Sequence, residues 1–328
     1  MLKLSDFDYY LPKELIAQYP LKEREKARLL VLDRKKKSLS HRSFSDIAEY
    51  LSSGDLLVLN DTRVLPCRII GKRITGGKVE VLLLAKEEAS KFNCLIRPAR
   101  VKLHERIIFN GGDLWCDVSG KNQVTFSTCD TSSIYKLGRV PLPPYIKRES
   151  EESDNVYYQT VYAKKDGSIA SPTAGLHFTR DLLHGISDKV NIAYITLHIS
   201  YSTFKPVKAA DITEHKMDKE FYHIDEITRD LLHKTHDSGK KIFGVGTTST
   251  RALESYSLGE AGSTDLFIYP GFQFKMVDHL ITNFHLPKTS LFMLACAFAG
   301  TELIKMAYQE AVKEKYRFYS YGDAMLII

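Results

Sequence analysis

The pattern of apolar and polar residues changes twice along the chain, and the first part reads as alternating strand and helix. Leu29–Asp33 and Asp55–Asn60 are apolar runs typical of strands. The second run is uninterrupted, as expected for a strand that is buried on both faces. Between them, Ser45–Leu51 is predicted to be helical, with Ser43 or Ser45 as its N-cap. The chain therefore begins as an α/β structure.

The second part consists of short strand-like runs separated by turns rich in Gly and Asn. No helical pattern interrupts these runs, and their spacing predicts a small antiparallel β-barrel. The six predicted strands are Cys67–Gly71, Val79–Leu84, Phe92–Arg97, Arg106–Phe109, Leu114–Val118 and Val124–Ser127.

The α/β pattern returns from about residue 158. We expect a discontinuous α/β domain of residues 1–62 and 150–328, with the barrel inserted as a second domain over residues 63–149. The predicted strands are Asn191–Leu197 and Lys241–Val245, and the predicted helices are Ile227–His236, a helix starting near Thr250, Ser290–Ala299 and Glu302–Lys315.

The spacing of the cysteines and the length of the apolar runs indicate where in the cell the protein is located. The five cysteines are far apart and form no CxxC pair, which is typical of reduced thiols in a cytosolic protein. We therefore expect no metal site, because a closed zinc site needs clustered ligands. The longest apolar run, Leu291–Ala299, has about half of the roughly 20 residues that span a bilayer. Since Met1–Tyr10 contains no apolar leader, we expect a cytoplasmic protein without a membrane partner.

The positive charge is concentrated in one segment. Of the net charge of +6, residues 61–150 hold 16 Lys and Arg against 9 Asp and Glu, whereas the remainder holds 30 against 31. A polyanionic partner explains such clustering, because phosphates attract grouped Lys and Arg side chains. Chance variation of the surface explains it equally well.

The segment Tyr158–Phe178, YQTVYAKKDGSIASPTAGLHF, carries the clearest chemistry. It has neither a helical nor a strand period, and polar loop residues of this kind usually contact ligands. Its small residues, such as Gly175, allow close approach to a flat ligand, and His177 can exchange a proton near neutral pH. A structural histidine is the alternative. The candidate ligand-binding residues here are Tyr158, Gln159 and Thr173.

A second polar loop, Thr282–Pro287, offers Asn283 and His285. Tyr269, on the preceding aromatic stretch, can stack on a base while Asn283 reads the edge of that base. The alternative for the aromatic residues is packing around a Pro-Gly turn. Two His-bearing loops, far apart in sequence, together predict an enzyme active site.

Two further motifs follow predicted strands, where ligands bind in open α/β sheets. The first motif, Asn60–Arg63, directly follows the predicted strand Asp55–Asn60. Asp61 can accept from a ribose hydroxyl or an amine, and Arg63 can bind a carboxylate or a phosphate. The alternative is a turn with an internal Asp–Arg pair.

The other motif, Val245–Ser255, offers an anion the backbone amides and hydroxyls of Thr247, Thr248 and Ser249. Simple helix capping is the alternative. Arg251 can pair with Glu254, and Asp323 near the C-terminus is a further acceptor.

Many long blocks, in order from residue 60 to the C-terminus, resemble the S-adenosylmethionine:tRNA ribosyltransferase-isomerase family of queuosine biosynthesis. DFDYYLPKELIAQYP extends the resemblance to the start of the chain. The blocks are NDTRVLPCR, TGGKVEVLLL, VPLPPYIKR, YQTVYA, PTAGLHFT, TLH, TFKPV, VGTTSTRALES, FIYPGFQFK, VDHLITNFHLP and YRFYSYGDAML.

The resemblance implies an α/β/α sandwich paired with a six-stranded antiparallel barrel. It implies that S-adenosylmethionine donates its ribosyl group to 7-aminomethyl-7-deazaguanine at the tRNA wobble position. The ribosyl group is isomerised, which gives epoxyqueuosine and releases adenine and methionine. S-adenosylmethionine is then a substrate, and no cofactor is required.

This chemistry assigns hypothetical roles to the candidates. His177 is our candidate for the base that deprotonates the ribose carbon beside the sulfonium, and Asp61, Asp323 or His285 takes the proton of the attacking amine. Arg251 or the Thr247–Ser249 turn holds the methionine carboxylate. The candidate tRNA contacts on the barrel are Arg97, Arg100 and Lys102.

The chain departs from the family pattern at several positions. After TLH the family has VGxGTF, whereas this chain has Ile199–Phe204, ISYSTF, so two glycines are replaced and Tyr201 adds bulk. Tyr157, Ser171 and Asp218 replace the family's usual Arg, Ala and His. We expect activity to be retained, since the other blocks are intact, and we favour a monomer. The competing hypotheses are a non-catalytic RNA-binding descendant and a different nucleoside or sugar transferase.

Overall fold

Apolar strands from both ends of the chain build one nine-stranded sheet in a computed structural model. The structure describes residues 2–204 and 206–328, except for the side chains of Ser202 and Phe204. The strands, in chain order, are β1 (Arg28–Asp33), β2 (Ser38–Ser43), β3 (Leu56–Asn60), β4 (Thr62–Val64), β5 (Arg68–Arg73), β6 (Lys78–Lys86), β7 (Lys91–Arg97), β8 (Arg106–Phe109), β9 (Leu114–Gly120), β10 (Gln123–Phe126), β11 (Gly138–Arg139), β12 (Lys165–Ser168), β13 (Asn191–Leu197), β14 (Glu220–His223), β15 (Ile242–Val245), β16 (Ser263–Thr264), β17 (His279–Asn283) and β18 (Ala324–Ile327).

The helices are short in the first half of the chain and longer in the second. The α-helices are α1 (Thr131–Lys136), α2 (Asp154–Tyr157), α3 (Arg180–Ser187), α4 (Glu226–Asp237), α5 (Gly246–Ser257), α6 (Ser290–Ala299) and α7 (Thr301–Lys313). The 3₁₀ helices are Leu4–Phe7, Lys13–Leu15, Arg24–Lys26, Phe44–Tyr50, Asn110–Gly112, Thr173–His177, Tyr201–Phe204 and Ile212–Glu214.

The large sheet has the order β16-β14-β13-β3-β15-β17-β18-β1-β2. Its four central strands β13, β3, β15 and β17 are parallel, so their carboxyl ends meet at one edge. Alternate residues of each strand pack on opposite faces: Leu30 and Leu32 join one apolar core, and Leu29 and Val31 join the other. Helices α4 to α7 contribute to the first core and α3 to the second. The predicted α/β class is confirmed.

Strands β5 to β10 form the barrel, which closes because β5 pairs with both β6 and β8. All six predicted strands are present, and the six-stranded antiparallel barrel is confirmed. Closure requires a glycine at position 71, since a Cβ there would lie 2.6 Å from a ring carbon of Phe109. The strands β1 to β3 precede the barrel and the others of the large sheet follow it, but the domain limits at 63 and 149 stay a prediction.

Two local predictions need correction. Ser45–Leu51 is a 3₁₀ helix, Phe44–Tyr50, in which the Asp46 carboxylate accepts from the Ser43 amide. The helix predicted to start near Thr250 starts at Gly246. The sequence does not predict strands β2, β4, β11, β12, β14, β16, β17 and β18 or helices α1, α2 and α3.

Of the described helices, none is both long and apolar enough to cross a membrane alone. Helices α6 and α7 pass that test only as a pair, and they are bent by 114°.

Candidate active site

A cleft of about 530 Å³, including its mouth, lies at the carboxyl edge of the central parallel strands. Residues that end or follow β13, β15 and β17 line it, which is where ligands bind in open α/β sheets. The lining residues are Tyr145, Tyr158, Ala170, Ser171, Pro172, Thr173, Ala174, Ile199, Thr203, Gly246, Thr247, Thr248, Thr282, Asn283, His285, Leu291, Tyr319 and Ser320.

One wall of the cleft is the N-terminus of α5. Gly246 begins this helix with φ of 86°, which only glycine adopts without strain, and no side chain caps the helix. The buried hydroxyl of Ser249, in the first turn, has no hydrogen-bond partner among the described residues. Uncapped amides and the helix dipole together favour an anionic ligand such as a carboxylate.

Three predicted residues form a chain of hydrogen bonds that runs from the cleft wall, at Thr173 and Asn283, to His177. Thr173 Oγ1 donates to Asn283 Oδ1 at 2.9 Å, and Asn283 Nδ2 lies 3.2 Å from His177 Nε2. Burial, helped by the charges of Arg24 and Arg317, lowers the pKa of His177 to about 3. His177 is therefore neutral at physiological pH, with Nε2 as an acceptor for the Asn283 amide.

His177 does not line the main cleft. It lines a smaller neighbouring cleft of about 300 Å³ together with Arg24 and Tyr157. Ser320 borders both clefts, and Asn283 separates His177 from the larger one.

His285 lies directly on the main cleft. Its Nε2 is 2.7 Å from the hydroxyl of Thr282, and its backbone amide donates to the Tyr308 hydroxyl. Burial lowers the pKa of His285 to about 3, so this imidazole is also neutral near pH 7. The expectation that His177 exchanges a proton near neutral pH therefore needs correction: burial lowers its pKa, and that of His285, so both imidazoles are neutral at pH 7 and weaker bases than a free histidine.

The residues of the Asn60–Arg63 motif do not line the cleft. The Asn60 side chain forms hydrogen bonds with the backbone of Leu197, in β13, and with the Thr248 hydroxyl. The Asp61 carboxylate accepts from the Thr196 hydroxyl at 2.6 Å. Arg63 is exposed, donates to a backbone carbonyl and pairs with Asp166 at 3.7 Å. The internal Asp–Arg pair that we considered does not form.

Arg251 and Asp323 also lie outside the cleft. Arg251 is buried and pairs with Glu220, which lies in β14, instead of Glu254. Glu254 accepts from the backbone amides of residues 275 to 277. Asp323 accepts from the amides of Arg28 and Arg317 and from the Arg28 guanidinium. The three carboxylates thus have partners within the protein, whereas Nη2 of the buried Arg251 has none among the described residues.

Three other candidates have structural partners. A Cβ at position 175 would lie 1.9 Å from the Tyr162 hydroxyl, so Gly175 allows that contact and does not border the cleft. Gln159 exchanges two hydrogen bonds with the backbone of Val64. Tyr269 packs against Phe267 at 5.1 Å between ring centroids and lies outside the cleft.

The cleft includes residues that the sequence did not single out. Tyr145 belongs to the proline-rich segment at 141–148, and Tyr319 and Ser320 precede β18. Tyr145 contacts Tyr319 edge to face, with ring centroids 3.8 Å apart. The signals for them were the family-like blocks VPLPPYIKR and YRFYSYGDAML, to which we assigned no role for these side chains. Among the described residues, no three His, Cys, Asp or Glu side chains are grouped to hold a metal ion.

The candidate RNA contacts lie on the barrel surface. Arg97, Arg100 and Lys102 are exposed. Arg97 also lines a groove of about 1090 Å³ between the barrel and the segment 141–149.

The fold and cleft define an α/β protein with an antiparallel barrel and a candidate ligand cleft at the edge of its large sheet. Residues 4–327 match the family model described as "Queuosine biosynthesis protein". The chain is 53% identical, over all of both chains, to a Sulfurihydrogenibium sp. protein named S-adenosylmethionine:tRNA ribosyltransferase-isomerase. It resembles the crystal structure of an S-adenosylmethionine tRNA ribosyltransferase from Thermotoga maritima, with a TM-score of 0.58 and 37% identity over 98% of this chain and 100% of that chain.

The chain belongs to the queuosine biosynthesis protein family. The resemblance recognised from the sequence blocks is thereby confirmed, and so is the expectation of a transferase-isomerase enzyme at the level of the family.

Proposed function

We propose that the protein transfers the ribosyl group of S-adenosylmethionine to 7-aminomethyl-7-deazaguanine at the wobble position of a tRNA. The group is isomerised during transfer, and the products are epoxyqueuosine in tRNA, adenine and methionine. The observation that carries the proposal is one cleft, in a chain of this family, that combines an uncapped helix N-terminus with Asn283 and His285.

The donor has one anionic end, and the cleft has one wall suited to it. The methionine carboxylate binds at the first turn of α5, where no side chain caps the amides of Gly246, Thr247 and Thr248 and the buried Ser249 hydroxyl has no partner among the described residues. We prefer this site to Arg251, because Arg251 does not line the cleft and its Nε and Nη1 already donate to the Leu266 carbonyl and to Glu220. The aromatic and aliphatic walls, including Tyr158 and Leu291, suit the flat adenine.

The two candidate bases are unprotonated imidazoles near pH 7. The sulfonium acidifies the ribose carbon beside it, and His177 takes that proton once the bound donor draws the Asn283 amide away from Nε2. His285 takes the proton of the attacking amine, because it lies on the cleft while Asp61 and Asp323 do not. No cofactor takes part, since departure of the neutral thioether drives the reaction.

Mass measurement of a synthetic anticodon stem-loop tests this function. We expect the aminomethyl-modified stem-loop, incubated with the protein and S-adenosylmethionine, to gain the mass of the isomerised ribosyl group while free adenine appears in equal amount. The unmodified stem-loop is the control and should give neither.

Two results would overturn the proposal. A pure RNA-binding protein would bind both stem-loops and release no adenine. A different transferase would release no adenine from S-adenosylmethionine but would consume another nucleoside donor.

A further inference from the structure

The groove beside the barrel and the active-site cleft are bordered by the same two segments. The segment at 141–149 contributes Pro143 and Pro144 to the groove and Tyr145 to the cleft. The loop after β13 contributes Tyr201 to the groove and Thr203 to the cleft. Since Tyr201 and Thr203 are two residues apart, their backbones lie within about 7 Å of each other.

The groove carries cations that are not neutralised. Arg68 pairs with Glu80 at 2.6 Å, so that its charge is compensated. By contrast, Arg97 and Lys147 form no ion pair with any described carboxylate. A groove with unpaired cations favours an anionic partner.

Tyr201 lines the groove two residues before Thr203, which lines the cleft. It packs against the edge of the barrel core and is partly exposed. Among the described side chains, no other aromatic ring stacks on it and none accepts from its hydroxyl. An unpaired ring beside unpaired cations is the combination that binds single-stranded nucleic acid, because bases stack on the ring and phosphates meet the cations.

We propose that Tyr201 is a stacking platform for the nucleotide next to the wobble base, and that the groove with Arg97 and Lys147 holds the adjoining strand of the anticodon loop. The proposal rests on the proposed function, which puts the wobble base itself in the cleft. A loop of tRNA fits better than a peptide, since its unstacked bases are displayed for aromatic side chains. Tyr201 thus determines how the RNA is positioned and takes no part in bond formation.

Binding measurements separate stacking from charge. The probe is an unmodified anticodon stem-loop with 2-aminopurine beside the wobble position, titrated at several salt concentrations without S-adenosylmethionine. We expect Tyr201→Leu, which keeps the packing on the barrel, to weaken binding about five- to hundredfold without changing the salt slope. We expect Arg97→Ala to reduce that slope by roughly 0.7, as one lost phosphate contact should.

Tyr201→Phe is the matched control, because it keeps the ring, and it should bind like the unchanged protein. The 2-aminopurine should be quenched on binding to the unchanged protein and to Tyr201→Phe, but not to Tyr201→Leu. Equal affinity and equal quenching with Leu and Phe would overturn the proposal. Because no chemistry is needed, a lack of adenine release would refute the proposed function while these binding results still decide the role of Tyr201.

Discussion

The barrel and the region around the large sheet differ in whether they bury polar side chains. Across the described chain, no buried Ser, Thr, Asn, Asp, Glu, His or Arg lies between residues 63 and 149. The barrel core holds aliphatic and aromatic residues and three cysteines, and its ion pairs, such as Arg106 with Asp117, are partly exposed. The large sheet buries Asn60, His177 and the Arg251–Glu220 pair.

This difference in buried polar residues indicates that the two regions have different roles. Burying a polar group costs free energy unless it is hydrogen-bonded, so a fold does so repeatedly only where partners are built in. In the large sheet the partners surround the carboxyl ends of the parallel strands, where the cleft lies. The barrel interior is an apolar core, and the charged side chains of the barrel lie on its exterior.

The strongest test of this contrast removes one charge from each region without changing shape. Glu220→Gln should destabilise the fold by about 3–5 kcal/mol, because it leaves the Arg251 guanidinium buried without a counter-charge. The isosteric change on the barrel, Asp117→Asn, should shift the urea midpoint little, since that pair is screened by solvent. Equal midpoints for the two variants would contradict the contrast.

Activity is the second test. His177→Ala should lower kcat about a hundredfold or more, as loss of a general base does, while RNA affinity stays unchanged. The exposed His184, on α3, is the matched control, and His184→Ala should leave kcat unaffected. Full turnover by His177→Ala would remove this imidazole as the base and leave His285 as the remaining candidate.

The elements with a clear local pattern were predictable. The barrel strands follow alternation and turn residues, and β13 and α6 have the predicted bounds. Helix α5 was placed four residues late because its first turn, Gly246 to Ser249, consists of poor helix formers. Tertiary contacts override that preference, since Thr248 is held by Asn60 from β3.

The candidate site was predicted only in part, for the same reason. Thr173, Asn283 and His285 were found because polar loops with small residues are local signals. Arg251 was misjudged because its partner, Glu220, lies 31 residues away in sequence, whereas Glu254 is adjacent on the helix. Partners that are distant in sequence, such as Glu220, determine which side chains at the end of a strand face the cleft.

The third test uses pH. In the folded state the pKa of His177 and of His285 is about 3, well below the usual 6.5. The unfolded chain therefore binds more protons between these values, so stability is level above about pH 6.5 and falls as the pH drops towards 3. By pH 5 the loss is about 2 kcal/mol for each histidine.

Unfolding in urea at pH 7.5 and pH 5 measures this loss. His285→Gln should reduce the difference in stability between the two pH values by about 2 kcal/mol. His184→Gln, on the surface, should leave the difference unchanged. An unchanged difference in His285→Gln would show that folding does not lower the pKa of this imidazole.

The smallest expected effect concerns the barrel exterior. Reversing the three exposed charges Arg97, Arg100 and Lys102 to Glu should weaken binding of the anticodon stem-loop. It should also flatten the dependence of log affinity on log salt concentration by about 2, because three phosphate contacts are lost at roughly 0.7 each. Melting temperature should not change, since none of the three contributes to the core.

A matched charge reversal on the large sheet decides whether position matters or only net charge. Lys37, Lys234 and Lys240 are exposed. Lys240 precedes β15, at the end of the strand opposite the cleft. Their reversal changes net charge by the same amount, so a general electrostatic effect would weaken RNA binding equally in both triple variants. If the salt slope falls only for the barrel variant, the basic exterior is a binding surface. If the slope falls for the large-sheet variant instead, the RNA lies on the sheet and the division of work between the two regions is wrong.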